Sequence, residues 1–180
     1  MRGIQIEHGI EHPHRLALRS EWKGLYMVGA VLVTHAFIGR ELIATVGYLL
    51  GNVDGIVAVS IDANVDVFKA RTRIWQAMKE VEQGDGVLIM TDLFGGTPSN
   101  LALSFLVNPN VEVITGVNLP MTLTFCTRRS EMELGELAKA VRLSGTRSVA
   151  RAKDLMETPD VSKTNTPVTR SLSEHLKKRS

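Results

Sequence analysis

Residues 86–100 read Gly-Val-Leu-Ile-Met-Thr-Asp-Leu-Phe-Gly-Gly-Thr-Pro-Ser-Asn. The run Gly86–Met90 is of strand length and has no polar face, as expected of a strand covered on both sides of a parallel sheet. Asp92 follows at once, then Gly95 and Gly96. Thr97 and Pro98 open a helix, with Thr97 predicted as N-cap and Pro98 at the first helical position.

The same grammar extends to both sides. Val28–Val33, Ile56–Ile61 and Val111–Ile114 are further short apolar runs. Between and after them, Phe37–Leu50, Val65–Gln83 and Glu131–Leu143 carry apolar residues at helical spacing. Short apolar strands separated by helices predict a parallel sheet. Right-handed crossovers then leave a small doubly wound α/β domain, mainly parallel, with helices on both faces. Thr146–Leu155 reads either as a short strand after the last helix or as the start of a tail.

The whole chain of 180 residues divides into a domain at 27–155 and two polar ends. Residues 1–26 read as a disordered leader, with Met27 as an alternative start, and residues 156–180 as a flexible polar tail. His8, His12 and His14 cluster in the leader, but nothing near them completes a metal site, and no metal or cofactor is expected. The net charge of +2 comes from the ends. Residues 1–26 carry four Lys/Arg against three Asp/Glu, residues 151–180 seven against four, and the central block ten against twelve. A mildly acidic core does not supply the cation cluster that nucleic-acid binding needs. One cysteine, Cys126, rules out an intrachain disulfide. No apolar run approaches a membrane span and no secretory signal is visible, so the expected location is cytoplasmic.

In an open parallel sheet, ligands bind beyond the carboxyl ends of the strands, where the winding reverses. Thr34-His35-Ala36 follows the first strand, Asp92–Pro98 the third, and Gly116–Met121 the fourth. His35 is the single histidine of residues 27–150. If the first and third strands are neighbours, their ends lie about 5 Å apart. Asp92 then reaches the imidazole, fixes its tautomer and leaves the other nitrogen as a nucleophile. Gly95, Gly96 and Thr97 form a turn whose amides suit a phosphate-sized anion. No GxxxxGK[ST] or GxGxxG element is present, which disfavours nucleotide and dinucleotide sites. The residues therefore predict either a histidine that becomes phosphorylated or one that acts as acid and base on a phosphorylated ligand. Elsewhere, Cys126 reads as a small core residue, Leu119 and Met121 as packing near the site mouth, and Arg128–Arg129 as a solvated pair after a helix.

With Val31–Ala36 (VLVTHA), Leu88–Asn100 (LIMTDLFGGTPSN) and Gly116–Met121 (GVNLPM) in this order, the chain resembles the enzyme IIA component of the mannose family of the bacterial phosphoenolpyruvate-dependent sugar phosphotransferase system. The resemblance covers about residues 27–155. It implies a phosphohistidine carrier, a phosphotransferase that accepts a phosphoryl group on Nε2 of His35 from the phosphohistidine of the carrier protein HPr. Asp92 would orient His35, while Thr97 and the backbone of Gly95 and Gly96 would hold the phosphoryl oxygens. It further implies a homodimer in which Thr146–Leu155 forms an exchanged antiparallel edge strand. Ala36 stands where the family often has glycine. The implied acceptor is a separate IIB-type protein, so the contact with a membrane permease is peripheral at most. Two alternatives share the phosphohistidine: a module that senses phosphorylation state for regulation, and a phosphoryl donor to a dihydroxyacetone kinase. A hydrolase acting on a small phosphoester is a further reading of the same pair.

Overall fold

The computed structural model describes residues 27–62 and 64–157. Its elements follow in the order β1 (Gly29–His35), α1 (Ile38–Leu50), β2 (Ile56–Ile61), α2 (Val67–Val81), β3 (Val87–Thr91), α3 (Thr97–Leu103), β4 (Val111–Thr115), α4 (Leu119–Arg128), α5 (Leu134–Arg147) and α6 (Ala152–Glu157). The chain divides into two compact units between Thr146 and Arg147, and the sheet lies in the first. The leader and its histidines fall outside the described residues, as does the tail beyond Glu157.

All strand pairs are parallel, in the order β2-β1-β3-β4. Side chains alternate between the two faces of a strand. Val31 and Val33 of β1 and Val87 and Ile89 of β3 join one core with Ile74, Met78 and Val81 of α2 and Leu101 and Ala102 of α3. Ala30, Leu32, Leu88 and Met90 join the other with Met121 and Phe125 of α4 and Leu137 and Val141 of α5. Every residue of β3 is buried, which is why its sequence has no polar face. The chain leaves β1 for β2 on one side and returns past β1 to β3 on the other, so the winding reverses between β1 and β3.

Several boundaries differ from the sequence reading. β1 continues to His35, because β2 is long enough to pair Thr34 with Ser60 and His35 with Ile61. α4 was not among the expected helices. Asn118 caps it by accepting from the Met121 N–H at 3.1 Å, and Pro120 stands in its first turn. α5 begins and ends about one turn later than expected, and so takes in Thr146. Ala152–Glu157 is helical, which replaces the exchanged strand expected over Thr146–Leu155. Ala, Lys, Leu, Met and Glu are strong helix formers, and Arg151 pairs with Asp154 at helical spacing. Met156 and Glu157, assigned to the tail, complete this helix.

Arg129 is also unlike its reading. Arg128 is exposed, but Arg129 is only 8% exposed. Its Nε donates to the Val28 carbonyl at 2.8 Å and its Nη2 to Gln83 at 3.3 Å, while the guanidinium lies over the Phe125 ring. Burial pulls its pKa below the ordinary arginine value, opposed by Cys126 and Asp54. The half-buried Cys126 thiol is pushed up to about 11 by burial, with Arg129 acting the other way. A thiol so raised is a poor nucleophile at neutral pH. Arg129→Met keeps the aliphatic bulk but removes the donor from a buried carbonyl. The expected loss is about 2 kcal/mol of stability, read by urea denaturation. An unchanged midpoint would show that the Val28 contact contributes nothing.

Candidate active site

The register brings the two predicted residues together. Val33 pairs with Thr91, so the last residue of β1 and the first residue after β3 emerge side by side at the switch point. Asp92 Oδ2 accepts from the His35 backbone N–H at 2.9 Å and lies 3.0 Å from His35 Nδ1. One carboxylate oxygen therefore fixes both the main chain and the ring of the same residue. An ionised carboxylate only accepts, so in the neutral ring this contact places the proton on Nδ1 and the lone pair on Nε2. The exposures match these roles: the His35 side chain is 43% exposed and the Asp92 side chain 10%. Asp92 Oδ1 is buried and has no protein partner among the described residues.

Behind His35, the buried Thr34 hydroxyl accepts from the Gly39 N–H at 2.9 Å and ties the first turn of α1 to the end of β1. Ala36, between them, has φ +44°. In this left-handed region Cβ crowds the backbone, at a cost of roughly 1–2 kcal/mol that glycine avoids. Ala36→Gly is thus expected to raise stability by up to about 1 kcal/mol, because the added freedom of the unfolded chain offsets part of the relief. A thermal melt reads the change; a fall in stability would show that the turn holds no strain.

In front of His35 is the glycine turn. Gly95 has φ +82°. At Gly96, a Cβ would stand 3.0 Å from His35 Cε1 and 3.5 Å from Nε2, so a side chain here would press on the ring and shift it by a few tenths of an ångström. The N-cap of α3 is Gly96, not Thr97 as predicted; Thr97 and Pro98 are the first two helical residues. Gly96 fits the cap because its extended backbone (φ −78°, ψ 170°) leads into the helix without a side chain to clear. The Thr97 hydroxyl is consequently not engaged in capping, and Thr97 is exposed. The Gly95 amide, expected to face an anion, instead donates to the Ser99 hydroxyl at 2.9 Å. The donors left to the turn are the Gly96 amide, the Thr97 amide and the Thr97 hydroxyl. The first amides of a helix have no partner within it.

Residues 116–121 follow β4, but their polar groups serve the fold. Asn118 caps α4 and donates to the Gly145 carbonyl at 3.4 Å. Met121 is buried in the core and Leu119 is half-buried. Phe37, Ile38, Leu93 and Phe94 are all exposed apolar residues close in sequence to His35 or Asp92, with Phe94 at 74%. The sequence reading did not single them out. A groove of about 510 Å³, lined by Phe68, Trp75 and Phe105 among others, contains none of the site residues. Among the described residues there is no cluster of three or more His, Cys, Asp or Glu able to hold a metal ion. No helix of the described residues is long and apolar enough to cross a membrane.

An α/β domain with a histidine–aspartate pair at the switch point of a parallel sheet, faced by a glycine turn, is the class these features define. A family model described as the fructose IIA component of the PTS (phosphotransferase) system matches residues 29–142. The chain belongs to this family, the mannose-type IIA components of the phosphotransferase system. It is 25% identical over 132 residues to the fructose-specific EIIA component of Bacillus subtilis (strain 168), covering 73% of this chain and 90% of that one. It is 26% identical over 134 residues to the mannose-specific EIIAB component of Escherichia coli (strain K12), covering 70% of this chain and 40% of that longer protein. Among solved structures, the mannose/sorbose-specific IIA subunit from Enterococcus faecalis superposes with a TM-score of 0.61 at 26% identity, over 69% of this chain and 94% of that one. An EIIA component from Streptococcus agalactiae shares the fold, with a TM-score of 0.65 at 19% identity over 71% of this chain and 99% of that one.

Proposed function

We propose that the protein is a phosphohistidine carrier that accepts a phosphoryl group on His35 Nε2 from phosphorylated HPr and passes it to a separate IIB-type protein, or uses it as a regulatory signal. The observation that carries this reading is the double engagement of Asp92 Oδ2, which holds the imidazole by backbone and ring and leaves Nε2 on the exposed side without a protein partner among the described residues, as the attacking atom of a neutral ring requires. The Nε2 lone pair attacks phosphorus, a P–N bond forms, and the donor's P–N bond breaks with its electron pair returning to the donor imidazole. A donor ring protonated on its other nitrogen leaves as a neutral imidazole. His35, with Nδ1–H, becomes a phospho-imidazolium whose positive charge faces the Asp92 carboxylate. Charge balances without a separate acid. Phosphoryl transfer needs mainly in-line placement and stabilised charge, and the Gly96 and Thr97 amides with the Thr97 hydroxyl supply donors for the phosphoryl oxygens. Gly95 contributes the turn's conformation.

The exposed Phe37, Ile38, Leu93 and Phe94 suit a protein donor, which must cover them to bring its own phosphohistidine to Nε2. The reading includes a cytoplasmic homodimer. The outer edge of β4 has no strand against it among the described residues, and an edge of that kind invites a second copy; light scattering after gel filtration would test this, with a monomer contradicting it.

To test the carrier reading, the protein is incubated with phosphoenolpyruvate, enzyme I and HPr. The expected product carries an acid-labile, base-stable phosphoryl group, which is discharged when an IIB-type protein is added. Discharge by a dihydroxyacetone kinase alone would identify that acceptor instead, and a phosphoform stable against every acceptor would favour the sensing role. A protein that takes no label overturns the reading.

A further inference from the structure

Gly95 and Gly96 are the two loosest residues of the site, yet they must hold still beside His35. Glycine loses more conformational freedom on folding than any other residue. Ser99 is the third residue of α3 and is fully buried. Its hydroxyl accepts from the Gly95 N–H at 2.9 Å and donates to the Gly96 carbonyl at 3.1 Å. A hydroxyl has one proton and two lone pairs, so both bonds form together. The Gly96 carbonyl also accepts from the Asn100 N–H at 3.0 Å. A single side chain therefore closes the turn on itself, while the other side of Gly96 lies against the His35 ring edge that bears Nε2.

We propose that Ser99 is a positioning residue for phosphoryl transfer: it clamps the Gly95–Gly96 turn so that the Gly96 and Thr97 donors stand at a fixed distance from His35 Nε2, and it takes the Gly95 amide out of phosphoryl binding. The proposal rests on the reading of His35 as phosphoryl acceptor. A serine in the first turn of a helix is also an ordinary local stabiliser. The two roles separate because a local stabiliser changes the unfolding midpoint, whereas a positioning residue changes the rate in protein that is still folded. Misplacing reacting groups by about 1 Å is enough to cost roughly 100-fold in rate.

The test compares the wild type with Ser99→Ala, Ser99→Thr and Ser99→Val. Thr and Val are nearly the same size, so any strain from branching in this buried position is common to both and only the hydroxyl differs. Rapid-quench labelling by phosphorylated HPr over a range of concentrations separates the transfer rate at saturation from the half-saturating concentration. The expected result is a transfer rate about 10–100-fold lower for Ala and Val and within about 3-fold of wild type for Thr, with half-saturation changed less than about 2-fold throughout. Amide hydrogen exchange at Gly95 is expected to quicken in Ala and Val and not in Thr. Wild-type transfer rates in Ala and Val overturn the proposal, as does a Thr variant as slow as Val, or a loss that lies in half-saturation alone. These results leave the carrier reading intact. A wild type that takes no label overturns the carrier reading and the Ser99 proposal together.

Discussion

His35→Ala is expected to take no base-stable phosphoryl label under conditions in which the wild type is fully labelled. No other histidine lies in residues 27–150, and Asp92 orients this ring alone. Without the nucleophile no covalent intermediate forms, so the loss is complete within detection. The fold should survive. The side chain is 43% exposed, and the backbone N–H at this position keeps its 2.9 Å bond to Asp92 whatever side chain stands there. A stability change within about 1 kcal/mol is therefore expected by urea denaturation, in keeping with a partly exposed position outside the core. Label persisting on the Ala variant would move the chemistry to another residue and remove the reason for the whole constellation.

The contrast between these two residues and the rest of the molecule shows what a sequence displays. Neighbouring strands and the His35–Asp92 meeting were legible because both follow from local pattern. Continuous apolar runs signal strands buried on both faces, and a doubly wound order puts the first and third strands side by side. Arg129 was not legible. Its partner carbonyl at Val28 is 101 residues away, and the apolar Phe125 one helical turn before it does not by itself mark a charged side chain for burial. α4 was missed for a different reason. Thr122, Thr124 and Thr127 break the apolar period, although Asn118 followed by Pro120 carries the same cap-and-proline signal that revealed α3. Residue type favours Thr97 as N-cap, but Gly96 holds that place, and the difference has a chemical consequence. A threonine that does not cap keeps its hydroxyl available to a ligand, as the proposed carrier role requires. Ser99 was invisible because its two bonds close a loop whose shape only the folded backbone defines.

Asp92→Asn is the most informative change that leaves every bond of the imidazole in place. Two groups of His35 require an acceptor at the Oδ2 position, the backbone N–H and Nδ1–H. The amide oxygen is therefore expected there, and it preserves the tautomer. The amide nitrogen then occupies the place of Oδ1, which is buried and has no protein partner among the described residues, so its donors go unsatisfied at about 1–3 kcal/mol of stability. What the variant lacks is the negative charge. As Nε2 bonds to phosphorus the ring becomes cationic, and a hydrogen bond between charged groups is about twice as strong as a neutral one. Losing the difference between the charged and the neutral bond, roughly 1–1.5 kcal/mol, from that state alone slows labelling about 5- to 13-fold. Discharge should slow as well. Without the carboxylate the phosphorylated ring gives up its Nδ1 proton more readily, and a neutral phosphoimidazole is a poorer donor than a cationic one. Slow charging and slow discharge on a folded protein would identify Asp92 as the counter-charge of the intermediate. Charging at the wild-type rate would reduce it to a structural anchor for the end of β1.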